Sequence, residues 1–104
     1  MSTEYELAEH FRGGDEHALR MAYDRYGGAI LHVSLRLLGN RADAEDVTQA
    51  TFVAAWQGRE TFDPERGGIL GWLLGIARRK AIDKIRSAAR DDRVTETIRA
   101  LPEP

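Results

Sequence analysis

Apolar residues in this chain recur at intervals of three and four, which is the repeat of a helix that buries one side. In the stretch ILGWLLGIARRKAIDKIR, Ile69 to Arg86, the residues Leu70, Leu73, Leu74, Ala77, Ala81 and Ile85 line one such side. Upstream, Leu19, Ala22, Tyr23, Tyr26, Ile30, Val33 and Leu37 give a long amphipathic helix that starts behind Asp15 and Glu16 and reaches about Leu38. Gly27-Gly28 falls inside it, where glycine costs roughly 1 kcal/mol against alanine, so the pair predicts a bend or, in preference, close packing against a neighbour. Between these two helices, Ala44, Val47, Thr51, Ala54 and Ala55 mark a third from about Arg41 to Gln57, with Phe52 and Trp56 on a second stripe.

Breaks in the pattern fall at glycine, asparagine and proline. Gly13-Gly14 closes a short first helix or arm, Tyr5 to Arg12; Gly39-Asn40 separates the second helix from the third, and Asn40 suits a cap. Gly58, Asp63-Pro64 and Gly67-Gly68 make Arg59 to Gly68 an irregular loop. After Arg86 the chain turns polar, Pro102 and Pro104 bar a helix at its end, and Val94, Ile98 and Leu101 offer no more than a last turn or two, which reads as a linker. No β-type alternation is long enough to form a strand. The expected fold is all-α: a compact bundle of three main helices plus a short N-terminal one. Its divisions are an arm or short helix at 1–14, the helical domain at 15–90 and the start of a linker at 91–104.

Composition narrows the chemistry. With 104 residues, 42% of them hydrophobic and 31% charged, the chain fits one modest core and is too apolar for wholesale disorder. It has no cysteine, which removes disulfides and thiolate metal sites. His10, His17 and His32 show no metal-ligand spacing, and no glycine-rich phosphate loop is present, so the residues point away from an enzyme and from any cofactor. No apolar run approaches the ~18 residues of a membrane span and no signal-type N-terminus appears, so an intracellular, cytoplasmic protein is expected.

The net charge of −2 hides an asymmetry. Met1 to Gln57 carries nine acidic and five basic residues, whereas Arg78 to Arg93 carries seven basic and three acidic. Such a division allows one surface for a basic protein and another for phosphates, or an attraction satisfied inside one fold. The last long helix sets Trp72, Ile76, Arg79 and Asp83 beside its apolar side and adds Arg78, Lys80, Lys84 and Arg86. An aromatic among cations suits nucleic acid, and a basic outer face is equally what solvent selects. The loop before it supplies Arg59, Phe62 and Arg66, groups able to hold an unstacked base or simply to span a gap. On the third helix, Asp46, Gln49 and Val53 share a flank that presents acceptors to a partner or to water.

Three segments in this order carry a family resemblance: RADAEDVTQATFVAAW (Arg41 to Trp56), GRETFDPERGG (Gly58 to Gly68) and GWLLGIARRKAIDKIR (Gly71 to Arg86). Over about Asp15 to Arg90 the chain resembles region 2 of bacterial RNA polymerase sigma factors of the extracytoplasmic-function type. The first segment is similar to the family's D-x-x-Q helix and the last to its aromatic-L-x-x-I-A-R-N-x-A-x-D-x-x-R helix. The resemblance implies a protein that binds core RNA polymerase and recognises and melts the −10 promoter element. Asp46, Gln49 and Val53 would meet the clamp of the largest polymerase subunit. Trp72 would stand at the upstream edge of the melted segment, Ile76 and Arg79 would face bases there, and the loop with Arg59, Phe62 and Arg66 would hold a flipped non-template base. Arg78, Lys80, Lys84 and Arg86 would take phosphates. An anti-sigma factor is a further partner the family implies, and the region 4 domain that reads the −35 element is expected beyond the linker. Three positions depart from the family pattern. Ala50 stands where Glu is usual, Gly75 where Arg is usual and Arg79 where Asn is usual, which puts one clamp contact and the upstream base preference in question. The competing class is a helical protein-interaction module without DNA recognition.

Overall fold

The computed structural model describes residues 3–103. Four α-helices follow one another: α1 (Glu4–Arg12), α2 (Glu16–Leu38), α3 (Arg41–Gln57) and α4 (Ile69–Ala100), with one 3-10 turn, Arg59–Thr61, after α3. The first three starts have a local cause. The side chains of Thr3, Asp15 and Asn40 accept hydrogen bonds from the backbone N–H of Glu6, His17 and Asp43, which satisfies donors that the first helical turn leaves open. Gly39 ends α2 at φ 69°, a left-handed conformation that glycine takes without a Cβ penalty.

Helices α2, α3 and α4 pack mutually, and α1 lies against α2 and the 3-10 turn. The core joins Leu7 and Phe11 of α1, Ala22, Tyr26 and Ile30 of α2, Phe52 and Ala55 of α3, and Phe62, Ile69, Leu73, Ile76 and Ala77 from the loop and α4. The hydroxyls of buried Thr48 and Thr51 donate to the carbonyls of Ala44 and Val47, one turn back, so neither is left unpaired.

Several expectations are corrected. The short first helix, expected at Tyr5 to Arg12, spans Glu4–Arg12, and it is part of the core rather than an arm, because Leu7, Ala8 and Phe11 are sealed under the bundle. The seam of α2 runs through Ala18, Ala22, Tyr26, Ile30 and Ser34, where small side chains let neighbours approach, so Tyr23 and Leu37 are exposed. The glycine pair is not demanded by packing: a Cβ at Gly27 would meet only the Tyr23 ring, at 3.8 Å, and one at Gly28 nothing within 4 Å. On α4 the buried stripe is turned toward Ile69 and Ile76, because Phe11 and Phe62 occupy that side; Ile76 is in the core and Ile85 is outside it.

The linker expectation changes most. α4 continues unbroken for 32 residues to Ala100, and everything after Lys84 in it is exposed. The segment SAARDDRVTETIRA contains no glycine or proline, and extending an existing helix avoids the cost of nucleating one. Pro102 stops it by holding Leu101 extended, at φ −65° and ψ 137°. The projecting tail gives the molecule extents of 68 × 23 × 22 Å.

Candidate nucleic-acid interface

Two faces carry the charged and aromatic groups, and the loop between α3 and α4 builds the first. Gly58 donates its N–H to the Ala54 carbonyl and ends α3, and the Thr61 hydroxyl then turns back onto the Gly58 carbonyl at 2.7 Å. Asp63 accepts from the Glu65 N–H at 3.0 Å, which tightens the bend before Arg66. Phe62 is driven into the core, with its ring centroid 5.0 Å from that of Trp72. Trp72 remains half-buried because Phe11, edge-on at 6.3 Å, blocks it from below. Between them opens a cleft of 370 Å³, walled by Thr61, Phe62, Arg66, the Gly67-Gly68 backbone and Trp72.

Along α4, Trp72, Arg79, Arg86 and Arg93 repeat every seven residues, near two full turns, so they lie along one face. Arg79, Arg86 and Arg93 are exposed, as is Arg78 on the neighbouring flank, while Lys80 is half-buried. Arg90 and Arg93 are not among the expected cations, since the expected helix stops near Arg86; the seven-residue spacing was the available signal for Arg93.

Besides Phe62, three of the expected DNA groups have engagements within the fold. Arg59 donates to the Trp56 carbonyl at 2.7 Å and lies 4.4 Å over the Trp56 ring, so its guanidinium latches the loop to α3. Ile76 packs into the core and is only 7% exposed. Lys84 reaches across to α3, 3.7 Å from Asp43 and 3.5 Å from Asp46.

The second face lies on α2 and α3. Asp46, Gln49 and Val53 are all exposed and in line on α3, with Ala50 beside them. A recess of 570 Å³ lined by Tyr23, Gly27, Gly28, Glu45, Asp46 and Gln49 adjoins an apolar groove of 540 Å³ lined by Leu19, Tyr23, Phe52, Val53 and Trp56. Tyr23, expected inside, thus stands on this face with its ring edge-on to Phe52 at 5.0 Å. Among the described residues no cluster of His, Asp and Glu could hold a metal, and no helix is long and apolar enough to cross a membrane.

The sigma-70 region 2 family matches residues 22–91. The ECF RNA polymerase sigma factor SigK of Mycobacterium tuberculosis is 30% identical over 80 residues, which are 77% of this chain and 43% of that protein. The ECF RNA polymerase sigma factor SigL of the same species is 39% identical over 70 residues, 67% of this chain and 40% of that protein. The chain therefore spans less than half the length of these curated relatives. The fold is similar to that of an engineered region 2 of sigmaE, determined by NMR in complex with GTAAAA, at a TM-score of 0.78 and 28% identity over 88% of this chain and 97% of that one. The helical bundle, the loop cleft and the extent of these matches lead to one assignment: the chain belongs to the sigma-70 region 2 family, in its extracytoplasmic-function branch.

Proposed function

We propose that this chain is the part of a sigma factor that docks on core RNA polymerase and captures the separated −10 promoter element during transcription initiation. One observation carries the reading: a base-sized cleft walled by Trp72 and Phe62 opens at the head of a line of arginines, on the fold of a region 2 whose complex contains GTAAAA. Unstacking a base costs a few kcal/mol, and a cleft that accepts it only when flipped returns that energy and favours the open duplex. Trp72 stacks at the edge of the separated segment, Arg66 and the loop backbone hold the flipped base of the non-template strand, and Arg78, Arg79, Lys80 and Arg86 meet phosphates and base edges. Arginine at position 79 offers a fork suited to guanine or phosphate.

The second face serves the polymerase. Carboxylate and amide acceptors at Asp46 and Gln49, beside the apolar ledge of Val53 and Tyr23, suit a basic, partly apolar helical partner, for which we propose the clamp of the largest subunit. An anti-sigma factor competing for either face, a cytoplasmic setting and a role in binding rather than bond chemistry complete the proposal.

Fluorescence anisotropy with a labelled 12-nucleotide strand containing GTAAAA, alone or annealed to its complement, tests the DNA arm. Preference for the single strand, lost by at least about fivefold in Trp72→Ala, is expected from the value of one base–aromatic stack. Equal binding of strand and duplex would remove the reading. For the polymerase arm, the double variant Asp46→Ala, Gln49→Ala should lose capture by core polymerase while its circular dichroism is unchanged.

A further inference from the structure

The loop has a second side. Behind the Gly67-Gly68 backbone lies another cleft, of 350 Å³, close to the 370 Å³ of the first. Its walls are Glu4 and Tyr5 of α1, Pro64, and the same two glycines; Ala8 and Ile69, both buried, form its floor. The partition between the two clefts is nearly bare backbone on its outer side, since a Cβ at Gly67 would meet nothing within 4 Å. At Gly68 the partition touches α1 directly: a Cβ there would fall 2.7 Å from the carboxylate at the end of the Glu4 side chain, which would have to shift.

Tyr5 is 57% exposed at the rim of this cleft, an aromatic face that the core does not use. An exposed ring beside a proline and a glycine wall is a stacking platform. The carboxylate of Glu4 decides what enters. It repels phosphate, so the strand's backbone stays outside and a base turns in; and it accepts hydrogen bonds, which the exocyclic amine of cytosine, adenine or guanine can donate. Thymine offers carbonyl oxygens in the equivalent positions, which a carboxylate disfavours, and its one donor, N3–H, lies between two of them.

We propose that α1 and the back of the loop form a second base subsite, in which Tyr5 stacks and Glu4 selects an amino-bearing base of the unpaired nucleotide that flanks GTAAAA, beside a terminal base of that hexamer held in the Trp72 cleft. The strand crosses over Gly67-Gly68 from one cleft to the other. The inference rests on the single-strand reading above, and it extends recognition to α1, which lies outside the matched residues 22–91.

The test uses the whole chain and the strand GTAAAA, extended by one nucleotide at its 5′ or its 3′ end with A, C, G, T or an abasic residue. At one of the two ends, an added amino-bearing base should tighten binding about fivefold or more over the abasic extension, the range of one stacking contact. Tyr5→Ala should abolish that gain and leave the affinity for the unextended hexamer unchanged. Glu4→Gln should keep the gain and lose the preference over T. Both side chains are exposed, so unfolding should not obscure the result; circular dichroism checks this. If extension at neither end distinguishes a base from an abasic residue, or if Tyr5→Ala keeps the gain, the second subsite is overturned while the first stands. Failure of the unextended hexamer to bind would sink both.

Discussion

Gly28 sits in the middle of a helix, exposed, with open space where its side chain would be. Alanine there should stabilise the domain by about 1 kcal/mol, read as a higher urea midpoint, because glycine is the more costly residue in a helix interior. The same methyl would project into the recess beside Asp46 and Gln49, so the stabilised variant should bind core polymerase less well. Residues were also where the sequence was hardest to read. Periodicity gives the direction of a buried stripe to within a residue or so, and Ile76 lay close enough to the edge for the aromatic pair Phe11 and Phe62 to draw it inside. Arg59 and Lys84 looked like free cations because nothing local announces a partner; the Trp56 carbonyl and the carboxylates of Asp43 and Asp46 reach them only through the fold.

At the level of elements, the three long helices and the loop were legible because their apolar spacing and their glycine, asparagine and proline breaks agree. The short first helix was expected and is present, but what the two ends do was illegible for opposite reasons. α1 is short, and a nine-residue helix has little stability of its own, so only the packing of Leu7, Ala8 and Phe11 makes it part of the core. Phe11→Ala should cost about 3–5 kcal/mol in urea unfolding, much of what a domain of this size possesses. The tail of α4 is polar all round, which reads as linker, yet its residues favour helix and it continues a helix already formed. Since it buries nothing, removing residues 91–104 should change the unfolding free energy by no more than about 0.5 kcal/mol, the range for surface changes. Its amides should also exchange with solvent faster than those around Leu73 to Ala81.

For the whole molecule, the sign of the net charge says little and its distribution says more. The acidic surplus falls on α1 to α3 and the basic one on α4, and only the Lys84 pairs with Asp43 and Asp46 join the two across helices among the described residues. Those groups are 36–69% exposed, so their mutual attraction is worth at most about 1 kcal/mol and leaves most of the separation intact. Binding of a single strand should therefore weaken steeply with salt, by a slope of about 0.7 in log affinity against log salt for each phosphate met. Arg79→Ala should lower that slope by about 0.7 if its partner is a phosphate and leave it unchanged if its partner is a base edge. Anisotropy titrations between low and physiological salt separate the two.

The chain has two tryptophans, and Phe11 lies edge-on to both, 5.3 Å from Trp56 and 6.3 Å from Trp72. One indole borders the α2–α3 groove and the other the loop cleft, so the intrinsic fluorescence of the protein is a two-channel reporter wired through a single phenyl ring. With Trp72 replaced by phenylalanine the remaining emission comes from the indole beside the α2–α3 groove, under the Arg59 guanidinium; with Trp56 replaced it comes from the indole beside the loop cleft. Each occupant can then be followed without a label.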